Sequence, residues 1–246
     1  MAGCANAPVD LAAARAALAP TGTLRVGVNV GSPTSYVVLK DGRTAGLTLD
    51  IARKMGAELD VPLQVVKYDR IAPAMADIHA GKVDMTFTNA TEERAREVAF
   101  SPPIMRIELG YLVPAGSRVA DAAHVDMPGV RLGVSEGSAS HLMMASKVKA
   151  ATLVPASSLS KAIEMLKAGE IDAYTTNKAI LFEMSDRLPG SRVLPGGWAT
   201  ENLAIAYPKG REAGRAYLAD LARRLRGSDE FREMREHAGV RGALVD

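Results

Sequence analysis

The sequence predicts an α/β protein of two similar lobes that face each other across a cleft. The strand-like segment LRVGV (24–28) recurs as VRLGV (130–134), and AGKVD (80–84) recurs as AGEID (168–172). In both copies an amphipathic helical pattern precedes the second segment, and a strand that ends in Thr-Asn follows it. Helix, glycine and strand in succession are a common connection. The recurrence of the aspartate and of the Thr-Asn pair at the same offset nevertheless favours two units built alike.

Length and composition exclude several classes of protein. Of the 246 residues, 48% are hydrophobic and 24% are charged, so the chain can bury ordinary cores without disulfides. The net charge is +2 and aromatic residues make up 4%, which disfavours nucleic-acid binding. One cysteine excludes an internal disulfide and a thiolate metal cluster, and the four histidines lack metal-ligand spacing. We therefore expect no metal and no cofactor.

The domain boundaries follow from two strand-like segments that cross between the lobes. Residues 1–20 are expected to form a leader or linker that contains a short helix at 11–18. The first crossing is predicted at 107–113 and the second at 203–207, each an apolar segment that ends at a loop containing Pro and Gly. The predicted lobes are residues 21–110 with 204–246, and residues 111–203 with the hinge strands.

The first residues are typical of a processed bacterial lipoprotein. Cys4 follows Ala2 and Gly3 and precedes a short run of small and polar residues, which is the pattern left when a lipoprotein signal peptide is trimmed. We therefore expect Cys4 to carry an acyl anchor and the protein to work outside the inner membrane, in the periplasm. A lone cysteine in a leader segment is the alternative.

Ligand-binding groups are expected where the strands end. In open α/β sheets, ligands bind at the carboxyl ends of the strands, so two facing lobes would form a polar cleft there. The residues at these ends are Asn29, Thr88 and Asn89 in the first lobe, and the loop 135–140 with Thr176 and Asn177 in the second.

Arg94 occupies a position that helix electrostatics disfavour. Thr91 is a good N-cap for a predicted helix at 92–98, and Glu92 and Glu93 suit the positive end of the helix dipole. An arginine at the third helical position does not suit it. An anion above the helix start would receive the guanidinium and free backbone N–H groups, which predicts a carboxylate ligand. An exposed arginine paired with a neighbouring glutamate is the alternative.

Six short segments occur along the chain in a recognisable order: LRVGV (24–28), GLTLDIA (46–52), AGKVD (80–84), TEER (91–94), FSP (100–102) and IAYPKG (205–210). Together they resemble the bacterial extracellular solute-binding proteins of family 3, the binding subunits of ABC importers for polar amino acids and related compounds. The resemblance covers about residues 21–239. It implies a two-lobed periplasmic-binding-protein fold (type II), with the ligand cleft between lobes joined by two crossover segments. It also implies a protein that binds a small carboxylate-bearing ligand and works with an ABC permease. We expect a monomer without enzymatic activity.

The resemblance also implies roles for single residues. In the family, the arginine of the Thr-x-x-Arg motif holds the α-carboxylate of the ligand, and this role passes to Arg94. Tyr68 stands where an aromatic residue packs on the ligand. The small residues Gly137, Ser138 and Ala139 resemble those that offer backbone N–H groups to the carboxylate.

Asn177 departs from the family pattern. The family usually places an aspartate after this second-lobe strand to bind the α-ammonium, and an amide cannot supply that charge. Either Glu136, Asp69 or Glu201 replaces the missing anion, or the ligand is a carboxylate without a free ammonium group. We include Glu136 among the expected ligand-binding residues.

Two other functions stay open from the sequence. An enzyme on the same fold, similar to periplasmic cyclohexadienyl dehydratases, would need an acid or a base in the cleft, for which Glu136 and Glu201 are the candidates. A sensor whose closed form engages a receptor would leave no signature in the chain. We expect a transport-type binding protein, in which the ligand favours the closed form that docks on the permease.

Overall fold

Helices and strands alternate along the part of the chain that the computed structural model describes, residues 9–244. The helices are α1 (Leu11–Leu18), α2 (Leu47–Glu58), α3 (Ile71–His79), α4 (Glu92–Ala95), α5 (Ala139–Lys147), α6 (Leu159–Lys167), α7 (Lys178–Asp186), α8 (Arg215–Leu225) and α9 (Asp229–His237). The strands are β1 (Leu24–Asn29), β2 (Val37–Val38), β3 (Thr44–Ala45), β4 (Leu63–Tyr68), β5 (Thr86–Asn89), β6 (Ala99–Phe100), β7 (Met105–Val113), β8 (Arg131–Ser135), β9 (Thr152–Ala156), β10 (Ala173–Asn177), β11 (Arg192–Val193), β12 (Ala199–Tyr207) and β13 (Ala243–Leu244). Within this range no helix combines the length and apolar character needed to cross a bilayer. Cys4 lies outside the described residues, so its acyl anchor stays a prediction.

A mixed sheet runs through both lobes, with the two predicted crossover segments at its centre. Its strand order is β5-β12-β7-β10-β8-β9, and β1, which pairs with β4, forms an isolated bridge from Val26 to Met85, the residue before β5. The long strands β7 and β12 pair antiparallel, starting from Ala199 opposite Leu109. Because β5 belongs to the first lobe and β10 to the second, the two central strands form the hinge.

Each lobe has hydrophobic cores of its own. In the first lobe, α2, α8 and α9 pack around β1, with Ile51 and Leu221 fully buried. In the second lobe one cluster, around Tyr174, packs beneath α6 and α7, and another, around Leu132 and Met144, packs beneath α5. Separate cores allow the two lobes to move as units about the hinge.

The helix predicted at residues 11–18 is present, but it packs on the first lobe instead of belonging to a separate leader. Ala14 and Leu18 are buried in the first-lobe core. The Leu18 side chain fills the space beside Gly214, where a Cβ would lie 2.6 Å from it, and Arg211 donates to the Leu18 carbonyl at 3.2 Å. The predicted leader therefore contains an element of the folded lobe, because α1 has an apolar face that only this core covers.

The repeated aspartates hold the first strand of each lobe at its start. Asp84 accepts hydrogen bonds from the backbone N–H of Arg25 at 2.8 Å, from the Arg25 guanidinium at 2.7 and 2.8 Å, and from Arg211 at 2.6 Å. Asp172 accepts from the backbone N–H of Arg131 at 2.8 Å and from its guanidinium at 3.0 and 3.1 Å. The repeated aspartate therefore forms the same kind of ion pair in each lobe, with an arginine at the start of the first strand of that lobe.

We expect Asp84→Asn to destabilise the protein more than Asp172→Asn does. The Asp84 side chain is fully buried, whereas 16% of the Asp172 side chain is exposed. Loss of the charge leaves Arg25 and Arg211 without their anion, which we expect to lower the free energy of unfolding by about 3 kcal/mol. Denaturation in urea measures both variants, and equal losses would contradict the assignment.

Candidate functional site

A polar cleft lies between the lobes and is lined by both of them and by the hinge strand β12. The lining residues are Asn29, Ser32, Thr34, Ser35, Ile71, Phe87, Thr88 and Arg94 from the first lobe; Ser135, Ser138, Ala139, Ser140, Thr176, Asn177 and Ile180 from the second; and Glu201 and Leu203 from β12. The Arg70–Glu136 ion pair and the close approach of Gly137 to Ala72 join the lobes beside the cleft, so the lobes are closed on each other. The cleft lies at the carboxyl ends of β1, β5, β8 and β10, as the sequence predicts.

Two hydrogen bonds direct the Arg94 guanidinium into the cleft. Its Nη1 donates to Thr88 Oγ1 and to the Asn89 carbonyl, both at 3.1 Å, and Thr91 caps the helix by accepting from the Arg94 N–H at 3.2 Å. The helix α4 has four residues and ends before the predicted position, so its dipole is small and contributes little here. The contacts with the end of β5, more than the helix dipole, therefore place the arginine.

The partly buried guanidinium of Arg94 has no counter-ion among the described residues. Across residues 9–244, no carboxylate lies within ion-pairing distance of it. Burial lowers the pKa of Arg94, and the charges of Glu201 and Glu93 raise it only in part. An arginine keeps its proton in a protein, so this site holds an uncompensated positive charge.

Glu201 brings a carboxylate into the same cleft from the hinge strand. Its side chain is 7% exposed, and its Oε2 accepts from Asn177 Nδ2 at 3.1 Å. Burial raises the pKa of the Glu201 carboxyl, against the opposing effects of Arg94 and of the Asn177 hydrogen bond. The cleft therefore contains one cationic and one anionic side chain that approach each other without forming an ion pair.

The second-lobe loop presents fewer free N–H groups than the resemblance implies. The Gly137 N–H donates to His141 Nδ1 at 3.1 Å, and the Ser138 N–H donates to the Ser135 carbonyl at 3.1 Å. The Ala139 N–H, at the start of α5, has no acceptor among the described residues. Gly137 itself does not line the cleft, whereas Ala139 and Ser140 do, and the backbone N–H groups of both are without an acceptor among the described residues and can donate to a ligand.

Three other residues expected at the site lie outside the cleft lining. The Tyr68 hydroxyl donates to Asp77 at 2.7 Å, so the ring packs within the first lobe. The Asn89 side chain accepts from the Asn202 N–H at 3.0 Å. Glu136 forms an ion pair with Arg70 at 2.8 Å, which joins the two lobes at the edge of the cleft. Each of these side chains is held by a partner from another element or loop of the fold.

Of the three alternatives for the missing anion, Glu201 is the one that lines the cleft. A signal for it was present in the sequence. Every second residue of a strand points to the same face, so Glu201 shares a face of β12 with Leu203, Ile205 and Tyr207. That face is otherwise apolar and buried. A carboxylate on such a face marks a functional position.

The comparisons with known proteins identify the family and the fold of the chain. The model of the bacterial extracellular solute-binding proteins, family 3, matches residues 24–237. The chain belongs to this family. It is 29% identical over 179 residues to the ABC transporter glutamine-binding protein of Bacillus subtilis, a match that spans 70% of this chain. That match covers 64% of the relative, which is less than two thirds of its length.

Solved structures of this fold superpose closely on the chain. A solute receptor for L-cysteine from Neisseria gonorrhoeae has a TM-score of 0.82 at 22% identity, covering 94% of this chain and 99% of the receptor. An ancestral amino-acid-binding protein, described as a precursor of cyclohexadienyl dehydratase, has a TM-score of 0.79 at 21% identity, covering 90% of this chain and 97% of that one. The predicted family and the predicted two-lobed fold are confirmed.

We expect Glu201→Gln to stabilise the ligand-free protein at neutral pH and to lose that advantage in acid. Because the pKa of the Glu201 carboxyl is raised, folding favours its neutral form. This contribution to stability is complete below the pKa of an unfolded glutamate and is lost as the pH rises through the raised value. The glutamine variant is neutral throughout, so its melting temperature should exceed that of the wild type near pH 7 and approach it near about pH 4.

A matched control for this variant is Glu108→Gln on the neighbouring hinge strand. Glu108 forms an ion pair with Lys178 and lies outside the cleft lining. Removing that charge should not raise the melting temperature. For a chain of this length, about 1 kcal/mol corresponds to a shift of about 2–4 °C. A stability difference for Glu201→Gln that did not change with pH would contradict the assigned burial of the charge.

Proposed function

We propose that the chain is the solute-binding component of an ABC importer and that it closes on a small carboxylate-bearing molecule, an amino acid or a related compound. The observation that carries the proposal is the partly buried guanidinium of Arg94, which lines the cleft and has no anion partner in the described chain. A partly desolvated charge without a counter-ion is unfavourable, so a ligand carboxylate that pairs with it recovers a favourable interaction. Membership of the family and the similarity to a glutamine-binding protein support this function.

The cleft offers the carboxylate donors from both lobes. Arg94 uses Nη1 for its contacts with the first lobe, which leaves its other nitrogens for the ligand. The Ala139 N–H donates from the second lobe. A ligand that engages both groups has its full set of contacts only when the lobes are closed, so it shifts the population toward the closed form.

Membership of the family supports the proposed partner and location. The closed protein would dock on an ABC permease, as a monomer, outside the cytoplasmic membrane. The Ala2-Gly3-Cys4 motif supports an acyl anchor at Cys4 that would keep the protein near its permease.

We expect Arg94→Ala to weaken ligand binding about a hundredfold. Loss of a charged bidentate contact amounts to about 3 kcal/mol. The measurement is isothermal titration with compounds first identified by thermal shift among L-amino acids, their amide and keto-acid analogues, and small dicarboxylates. Arg96→Ala is the matched control, because Arg96 lies two residues away, is exposed and is absent from the cleft lining. A compound that bound equally well to Arg94→Ala would contradict the proposed site.

Turnover of the bound carboxylate is a second candidate function. Glu201 supports it, because a buried carboxyl with a raised pKa can act as a general acid. The test is incubation with prephenate or arogenate and analysis of the products. Product formation by the wild type that is lost in Glu201→Gln would establish an enzyme. Binding of these compounds without product formation would support the receptor function instead.

A further inference from the structure

We propose that Glu201 binds the ammonium group of the ligand, and that the ligand is a zwitterionic α-amino acid whose side chain carries no net charge. This inference rests on the proposed function, because it assumes that Arg94 receives the carboxylate. Both charged side chains of the cleft lining, Arg94 and Glu201, then have a role in binding, which restricts the class of ligand.

One carboxylate oxygen of Glu201 is held by the protein and the other is available. Oε2 accepts from Asn177, whereas Oε1 has no hydrogen-bond partner among residues 9–244. The side chain is buried and lines the cleft. An ammonium group supplies the hydrogen-bond donors and the positive charge that such a carboxylate lacks.

This arrangement explains why position 177 holds an asparagine instead of an aspartate. Its Oδ1 accepts from the Ile180 N–H at 3.2 Å and caps α7, so its Nδ2 is directed toward Glu201. An aspartate at this position would place a second anion beside the Glu201 carboxylate, and one of the two would have to be protonated. The amide instead donates to the carboxylate and orients it. The negative charge therefore comes from the hinge strand rather than from the end of β10.

A buried acceptor in the cleft also argues for a ligand that brings donors. Asn29 Oδ1 lies at the end of β1, is inaccessible to solvent, and has no partner in the described chain. A simple carboxylate carries acceptors only and would leave this oxygen unpaired as well as Glu201. An amino acid, with donors on its ammonium group and in many cases on its side chain, fits the cleft better.

The charges of the lining restrict the side chain of the ligand. Within the described residues, Arg94 and Glu201 are the charged members of the lining, and the zwitterion uses both. The rest consists of hydroxyl, amide and apolar groups, such as Thr34, Ser35 and Phe87. A guanidinium, ammonium or carboxylate on the ligand side chain would be desolvated there without a counter-ion. We therefore infer an amino acid with a neutral side chain.

The test compares each amino acid with a partner that lacks only the ammonium group. The common L-amino acids are screened by thermal shift, and each one that binds is titrated against its 2-hydroxy acid, which keeps the carboxylate and the side chain. In the wild type we expect binding only by uncharged side chains, with the 2-hydroxy acid about a hundredfold weaker. Glu201→Gln should weaken the amino acid about a hundredfold and leave the hydroxy acid within about threefold. Glu108→Gln should change neither.

A double variant separates the charge of Glu201 from its structural role. Glu201→Gln combined with Asn177→Asp returns the anion to the neighbouring side chain, within hydrogen-bond reach of the original one. The aspartate still has the oxygen that caps α7. We expect the double variant to recover at least about tenfold of the lost amino-acid affinity. A Glu201→Gln protein that binds amino acids as the wild type does would overturn the inference.

The same titrations distinguish an incorrect ammonium site from an incorrect receptor function. If amino acid and hydroxy acid bind equally well and both depend on Arg94, the receptor function stands and the ammonium site does not. If charged side chains are preferred, the restriction to neutral ligands is overturned. If no compound binds the wild-type protein, both proposals fail.

Discussion

The antiparallel pairing of β7 with β12 is the constraint on which the rest of the structure depends. The first lobe is hydrogen-bonded to one edge of this pair through β5, and the second lobe to the other edge through β10. Each lobe builds its cores on its own side, so a small change in the two strands moves one core relative to the other. Glu201 lies on this pair, while Arg94 and Asn177 approach the cleft from opposite lobes. The site is therefore assembled from three parts that closure brings together.

The ion pair that joins the lobes at the edge of the cleft is too weak to hold the closed form alone. The ion pair of Arg70 with Glu136 is about a third to a half exposed, and exposed pairs contribute roughly 0–1 kcal/mol. Beside it, Gly137 lies against Ala72 so closely that a Cβ would be 2.8 Å from it, and its φ of +68° also favours glycine. These contacts shape the closed form and exclude water. The larger share of the closing free energy must come from a ligand that pairs with the buried charges.

The sequence predicted the architecture better than it predicted the direction of side chains. The repeats and the strand ends identified two lobes and the position of the cleft, because those depend on local periodicity and on short motifs. Arg94 was singled out because it breaks a rule within its predicted helix, and the family resemblance then gave it the role of binding the carboxylate. Tyr68 and Glu136 lie outside the cleft lining because Asp77 and Arg70 hold them, and both partners act through the folded structure. Motif position therefore locates a residue near a site but does not determine where its side chain points.

The cleft carries an electrostatic cost in the absence of ligand. Arg94 is partly buried and has no carboxylate partner among residues 9–244, and burial raises the pKa of Glu201, which means that the ligand-free fold disfavours the charge on that carboxylate. A core optimised for stability would hold neither group, or would pair the two directly. Keeping them apart leaves room for a molecule that carries both complementary charges. The free energy lost in the empty cleft is recovered when such a molecule binds, so the same two charges that destabilise the empty site make it selective.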